Sequence, residues 1–196
     1  MKEKSLFNIV LLGGPGSGKG TQAALMKEVY GLEHLSTGQL FRHEIAIMSD
    51  IGIKAKQAID QGNYCSNELT LDMLNKHISS IPNPKGFIFD GVPRTLEQAK
   101  RMDDANYAST LTARLVINLK VNEEEIVERI LKRALLENRS DDTKEIVTQR
   151  IVNYHTLTEP LIEYYIMQGK LHPIDGMQSV EKVFEDVKSV IDKYIH

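Results

Sequence analysis

Residues 7–21 read FNIVLLGGPGSGKGT, an apolar run followed by five glycines and a lysine within nine positions. A continuous apolar stretch of strand length suits a strand buried on both faces of a parallel sheet. The turn behind it opens a helix over KGTQAALMKEVY (19–30), stopped by Gly31. A glycine-rich turn in that position presents consecutive backbone N–H groups at the positive end of a helix dipole, and Lys19 adds a mobile charge, so the loop suits phosphate. A plain glycine turn with a solvated lysine is the alternative, and five glycines between a strand and a helix weigh against it. The common phosphate-loop pattern G-x-x-x-x-G-K-[ST] is met at Gly13, Gly18 and Lys19, but Gly20 follows the lysine and the hydroxyl of Thr21 comes one residue late.

Outward from this stretch, HLS (34–36) reads as a second strand, FIF (87–89) as a third, ARLVINLKV (113–121) as a fourth and KLHPI (170–174) as the last. Helical patterns lie between them. Thr37 is expected to cap GQLFRHEIAIM, and Asp50 to cap IGIKAKQAID, which ends at Gly62. ELTLDMLNKHISSI precedes a PNPKG turn, PRTLEQAKRMDDA is entered at Pro93, and NEEEIVERILKRALL follows the fourth strand. Pro160 should kink or interrupt EIVTQRIVNYHTLTEPLIEYYIMQG, and SVEKVFEDVKSVIDKYI closes the chain with the clearest apolar stripe. Strands alternating with helices predict an α/β, three-layer P-loop fold: a five-stranded parallel sheet with helices on both faces. Residues 36–65 and 133–143 fit the alternation least and read as insertions into a single domain spanning 1–196.

The chain has 196 residues, 41% hydrophobic and 26% charged, with a net charge of −3, which argues against a broad nucleic-acid or anionic-membrane surface. Cys65 is the only cysteine, so an internal disulfide and a cysteine cluster for zinc are excluded. The six histidines show no HxxxH or HExxH spacing. No stretch approaches membrane-spanning length, and the first residues read as a buried strand rather than a signal peptide, so a cytoplasmic setting is expected.

FIFDG (87–91) is an apolar strand ending in a carboxylate. Ligands of parallel α/β sheets sit beyond the carboxyl ends of the strands, where Asp90 and the glycine loop would meet, and an aspartate there can hold Mg²⁺ or its waters. Taken by itself, Asp90 could equally be a turn residue or a helix cap. The eight arginines (42, 94, 101, 114, 129, 133, 139 and 150) fall largely beside glycines, strand ends or the two insertions. Their fixed, permanently charged fork suits phosphate oxygens. For Arg129 the helix pattern also offers a salt bridge with Glu125, four residues back.

Taken together, GGPGSGKGTQ (13–22), HLSTGQLFR (34–42), DGVPRTLEQ (90–98), ERILKRALLENRSDD (128–142) and TQR (148–150) resemble the nucleoside monophosphate kinase family, and within it the short-lid adenylate kinases. The resemblance spans nearly the whole chain. It implies reversible, Mg²⁺-dependent phosphoryl transfer from ATP to AMP, giving two ADP, by a monomer. It implies further that Gly14, Pro15, Gly16, Ser17, Gly18, Lys19, Gly20 and Thr21 wrap the ATP phosphates, with Arg129 and Gln178 near the donor adenine. Thr37, Arg42, Arg94 and Gln98 would hold AMP, in a pocket lined by Asn63, Tyr64, Cys65, Gly91, Val92 and Pro93. Arg133, Arg139 and Arg150 would clamp the transferring phosphate, Asp90 would position Mg²⁺ through water, and Asp141 and Asp142 would belong to the lid. A glutamine at 98 can donate and accept across an adenine edge, which favours AMP over UMP or CMP. No zinc is implied, since 133–150 holds no cysteine.

Some positions depart from the family pattern. Gln39 stands where an aspartate is usual, Val92 where Phe or Tyr is usual, and Asn138-Arg139-Ser140 where Gly-Arg-Val is usual; Tyr64-Cys65-Ser66-Asn67 replaces a Leu-Val-Pro-Asp/Leu stretch. These leave two other readings beside adenylate kinase: a UMP/CMP kinase, and a nucleotide-binding protein with weakened turnover. A third reading, a GTPase-like hydrolase, lacks the guanine-reading NKxD pattern.

Overall fold

In the computed structural model, which describes residues 6–104, 110–137 and 143–195, the apolar run forms β1 (Ile9–Leu12), buried along its whole length. Four further strands join it: β2 (Glu33–Ser36), β3 (Phe87–Asp90), β4 (Leu115–Lys120) and β5 (Leu171–Asp175). All pairings are parallel, in the order β2-β3-β1-β4-β5. Successive side chains point to opposite faces of a sheet, so β1 serves two cores. Val10 and Leu12 pack on one face with Leu35, Phe89 and Val116, while Ile9 and Leu11 pack on the other with Ile88, Leu115 and Ile117. Both faces being apolar is the reason for the unbroken run in the sequence.

Helices cover each face. α1 (Lys19–Tyr30) contributes Ala23 and Met26 to the second core, and the C-terminal α9 (Val180–Ile195) adds Val183, Val187 and Ile191. The first core takes Leu71 and Leu74 from α4 (Asn67–Ser79), Ala99 and Met102 from α5 (Leu96–Asp103), and Leu161 and Tyr165 from α8 (Pro160–Met167). Two smaller apolar clusters lie apart from the sheet. One joins Phe41 of α2 (Thr37–Ala46), Ala55 of α3 (Asp50–Asp60) and Met73; the other joins Ile126 and Ile130 of α6 (Glu123–Glu137) to Val147 of α7 (Lys144–Asn153). Among the described residues no helix is long and apolar enough to cross a membrane.

The helix starts correct the sequence reading in three places. Ser36, not Thr37, is the extended residue before α2, and Thr37 is already helical, its hydroxyl donating to the Gly91 carbonyl at 3.0 Å. Ser49, not Asp50, caps α3, accepting from the Gly52 N–H at 3.0 Å. Pro93 does not enter α5; the helix begins only after Thr95, an extended residue whose hydroxyl caps it by accepting from the Gln98 N–H at 3.1 Å. The interruption expected at Pro160 is present: α7 gives way to a π-helical turn, Tyr154–Thr158, and Pro160 opens α8, where its missing N–H is harmless.

Candidate functional site

From β1 the chain travels past β3 to reach β2, whereas from β3 it crosses back over β1 to β4. This reversal leaves a crevice beyond the carboxyl ends of the strands. A cleft of about 910 Å³ lies there, bounded by the loop after β1, the ends of β2 and β3, α6 and the π-turn. The volume is at the upper end of the range for small-molecule sites.

The glycine loop is shaped by backbone that side chains rarely adopt: Gly13, Gly16 and Gly18 have φ of +138°, +77° and +92°. At Gly16 space is also short, because a Cβ would stand 2.8 Å from Ile130 Cγ1 and 3.1 Å from the Ile126 carbonyl. Lys19 folds back over the loop, its Nζ donating to the carbonyls of Gly13 and Gly14 at 2.8 Å each and to Ser17 Oγ at 3.3 Å. Burial pushes its ammonium down to about 8; the Asp90 carboxylate opposes the fall, while Arg94 and Arg133 add to it.

Asp90 ends β3, directly opposite Ser36 in register, and its Oδ2 lies 3.3 Å from His34 Nε2. Burial works to raise its carboxyl, but the His34 hydrogen bond and the charges of Lys19, His34 and Arg94 together hold it below the ordinary aspartate value. Gly91 follows at φ +84°, so close to its neighbours that a Cβ would stand 2.6 Å from Thr37 Oγ1. Arg94 is fixed from several sides. Its Nε donates to the Gly91 carbonyl at 2.8 Å and its N–H to Gln98 Oε1 at 2.7 Å, its carbonyl accepts from Thr158 Oγ1 at 3.0 Å, and its guanidinium carbon lies 4.7 Å from the centre of the Tyr64 ring.

Most of the residues singled out from the sequence meet in this cleft. Pro15 to Thr21, Arg129, Arg133 and Gln178 line it, as do Thr37, Arg42, Asn63, Tyr64, Cys65, Asp90, Gly91, Pro93, Arg94, Gln98 and Arg150. Gly14 does not line it but supplies a carbonyl to Lys19. Val92 is only 1% exposed and belongs to the sheet core, not to the cleft wall. Arg139, Asp141 and Asp142, with Asn138 and Ser140, lie outside the described residues. Gln98 Oε1 accepts from the Arg94 N–H at 2.7 Å, which orients the amide and leaves Oε1 a second lone pair beside the two Nε2 protons. For Arg129 the helix pairing is real, Nε to Glu125 Oε1 at 2.6 Å, and the side chain lines the cleft as well.

The sequence reading assigned no role to His34, Thr158, Tyr154 or Lys132, all of which line the cleft. His34 was accessible in principle, since it stands two residues before Ser36 on the same face of β2. Thr158 carried no such signal, because a π-helical turn shifts every side chain after it. Among the described residues no group of three His, Cys, Asp or Glu side chains could cage a metal ion.

A family model described as "Adenylate kinase" matches residues 11–170. The chain is also similar to curated proteins called adenylate kinase: 42% identical over 187 residues to that of Azobacteroides pseudotrichonymphae, covering 95% of this chain and 98% of the relative. The protein of Parabacteroides distasonis is 40% identical over 187 residues, with 95% and 98% covered, and that of Flavobacterium johnsoniae 40% identical over 190 residues, with 95% and 99% covered.

Proposed function

The chain belongs to the adenylate kinase family, and from that premise we propose how its residues divide the work of transferring the terminal phosphoryl group of ATP to AMP. The observation that carries the proposal is the convergence of Lys19, Asp90 and Arg94 at one end of the sheet, close enough that Asp90 and Arg94 both shift the Lys19 titration. The loop from Gly14 to Thr21 offers its N–H groups to the donor phosphates, and Lys19 leaves the Gly13 and Gly14 carbonyls to follow the migrating group. Arg94, Arg133 and Arg150, with Arg139, stabilise charge on the transferring phosphate; Arg42 and Arg94 take the acceptor phosphate. Gln98, its amide oriented by the Arg94 N–H, meets the acceptor base with Nε2 donating and the second lone pair of Oε1 accepting. Arg129 and Gln178 flank the donor base.

The donor set suits a magnesium ion that keeps most of its water and relies on phosphates for the rest. Asp90 is ionised, and its Oδ1 has no hydrogen bond among the described residues, so it is the carboxylate that would hold the ion through water. Bound with ATP, Mg²⁺ supplies neutralisation of phosphate charge. No dedicated base is needed, because phosphoryl transfer depends chiefly on alignment and charge stabilisation.

Residues 36–65 and 133–143 act in this reading as the acceptor segment and a short lid. Two apolar clusters apart from the sheet cores support it: Phe41 and Ala55 of the first segment pack with Met73, and Ile126, Ile130 and Val147 join the helices on either side of the second. Closure would exclude the water that competes with AMP; the adenylate kinase lid is itself a standard example of such gating. The protein is read as a cytoplasmic monomer. A coupled assay for ADP formed from ATP, run with and without AMP, tests the proposal. ADP should appear only with AMP, and AMP should outpace UMP, CMP and GMP. ATP turnover without AMP would point to a hydrolase, a faster pyrimidine acceptor to a UMP/CMP kinase, and tight binding without ADP to a weakened nucleotide-binding protein.

A further inference from the structure

Tyr64 stands in the connection between α3 and α4, two residues after Gly62, whose φ of +73° turns the chain towards Arg94. Its ring faces the Arg94 guanidinium at 4.7 Å. Its hydroxyl lies 3.0 Å from Thr158 Oγ1, and Thr158 uses its own proton to bond the Arg94 carbonyl at 3.0 Å, so Tyr64 is the donor of the pair. One side chain therefore reaches Arg94 twice, through the face of the guanidinium and through a hydroxyl relay to the backbone. The remaining bonds, Nε to Gly91 and N–H to Gln98, come from Arg94's own loop and helix. Among the described residues, Tyr64 and Thr158 are the side chains that tie it to distant elements by ring contact or hydrogen bond.

We propose that Tyr64 is a positioning residue for the acceptor phosphate: it holds the Arg94 fork in the plane in which its terminal nitrogens meet that phosphate. The inference rests on the reading of Arg94 as an acceptor-phosphate ligand. A free arginine side chain samples many rotamers, and a ring stacked on one face, with Nε tied to Gly91, leaves the terminal nitrogens pre-ordered before the nucleotide arrives. A leucine at position 64 could supply neither the ring nor the hydroxyl. Because Arg94 also meets the transferring phosphate, pre-ordering acts on AMP binding and on turnover, while ATP binding stays with the glycine loop.

Steady-state kinetics on Tyr64→Leu and Tyr64→Phe, each in the wild-type and the Arg94→Lys background, tests the inference. Tyr64→Leu should raise the AMP KM on the order of tenfold, the size of a partly desolvated cation–π contact, with the ATP KM within about twofold. Tyr64→Phe keeps the ring and loses only the relay, so its AMP KM should rise a few-fold. In the Arg94→Lys background, where the planar fork is gone, the Tyr64→Leu step should shrink to less than half on a logarithmic scale. Equal rises in the AMP and ATP KM values, or the same penalty in both backgrounds, would overturn the positioning role and leave Tyr64 a packing residue. Should the leucine variant fail to fold, Tyr64→Phe in the two backgrounds decides the same question. If Arg94→Lys itself left the AMP KM at the wild-type value, the assignment of Arg94 would fail, and with it this inference.

Discussion

Lys19 is charged at neutral pH in a place that disfavours charge, and this fixes how the stability of the nucleotide-free chain responds to pH. Burial lowers its midpoint to about 8, with Arg94 and Arg133 adding to the fall and Asp90 opposing it. In the unfolded chain the same ammonium titrates near the ordinary lysine value of about 10.4. Below the folded midpoint both states hold the proton, and the folded chain carries the whole penalty, about 3 kcal/mol at roughly 1.36 kcal/mol per pKa unit. Between the two midpoints the unfolded state binds more protons than the folded one, so the penalty is relieved as pH rises and has vanished above the higher midpoint. Lys19→Met removes this titration while filling similar space. Other groups titrate nearly alike in the two proteins, so the unfolding free energy of wild type minus variant should climb by about 3 kcal/mol between pH of about 7 and about 10.5. Urea unfolding at several pH values across that window, without nucleotide, reads the difference directly. A difference that stays flat within about 0.5 kcal/mol, or that falls with pH, would refute the burial of a charged Lys19.

Four other changes test separate parts of the structure. Gly91→Ala places a Cβ 2.6 Å from Thr37 Oγ1 and 2.9 Å from a terminal nitrogen of Arg94, at φ +84°; urea unfolding should show a loss of roughly 1–3 kcal/mol, and the AMP KM should rise more than the ATP KM. Tyr165→Phe removes a fully buried hydroxyl that has no hydrogen-bond partner among the described residues, so thermal unfolding should show unchanged or higher stability, by up to about 1 kcal/mol. Gly20→Ser adds a Cβ at an ordinary 3.8 Å from Asp90 Oδ2, and its unfolding free energy should stay within about 0.5 kcal/mol of wild type. Asp90→Asn deletes the charge that, among the described residues, raises the Lys19 titration, so the pH at which ATP affinity begins to decline should move below that of the wild type.

What the sequence disclosed followed the physics that is local. β1 and α1 were legible because both faces of β1 are buried and because Gly31, at φ +65°, ends α1 on the residue expected. Lys19 and Asp90 were legible because each stands beside a glycine or a strand end, whereas Arg94 was placed by the resemblance of DGVPR (90–94) to a family motif. The helix caps were misplaced by one residue because Ser36-Thr37 and Ser49-Asp50 each offer two capping oxygens. The first of each pair is extended, and the second already helical. Other features depend on tertiary register. His34 reaches Asp90 only because β2 and β3 pair with Ser36 opposite Asp90. Thr158 reaches the Arg94 carbonyl only through the π-turn before Pro160. The engagement of Gln98 Oε1 by the Arg94 N–H is likewise a property of the folded DGVPRT loop.

The late hydroxyl of Thr21 also takes on a different meaning in three dimensions. A side chain at position 20 would point towards Asp90, since the nearest heavy atom to a Cβ there is Asp90 Oδ2 at 3.8 Å. The place filled by a neutral hydroxyl in the common phosphate loop therefore lies next to an ionised carboxylate in this one. That carboxylate also keeps Lys19 protonated against burial and against the charges of Arg94 and Arg133. A glycine at position 20 thus shifts the chemistry of the loop onto the Lys19–Asp90 pair: in the proposed reading Lys19 meets phosphate, and Asp90 favours its charge. On this argument a restored hydroxyl in Gly20→Ser should not rescue Asp90→Asn, because a serine cannot replace the charge that Lys19 needs. Equal ATP affinity above pH of about 8 in wild type and in the double variant would show instead that the hydroxyl and the carboxylate are interchangeable.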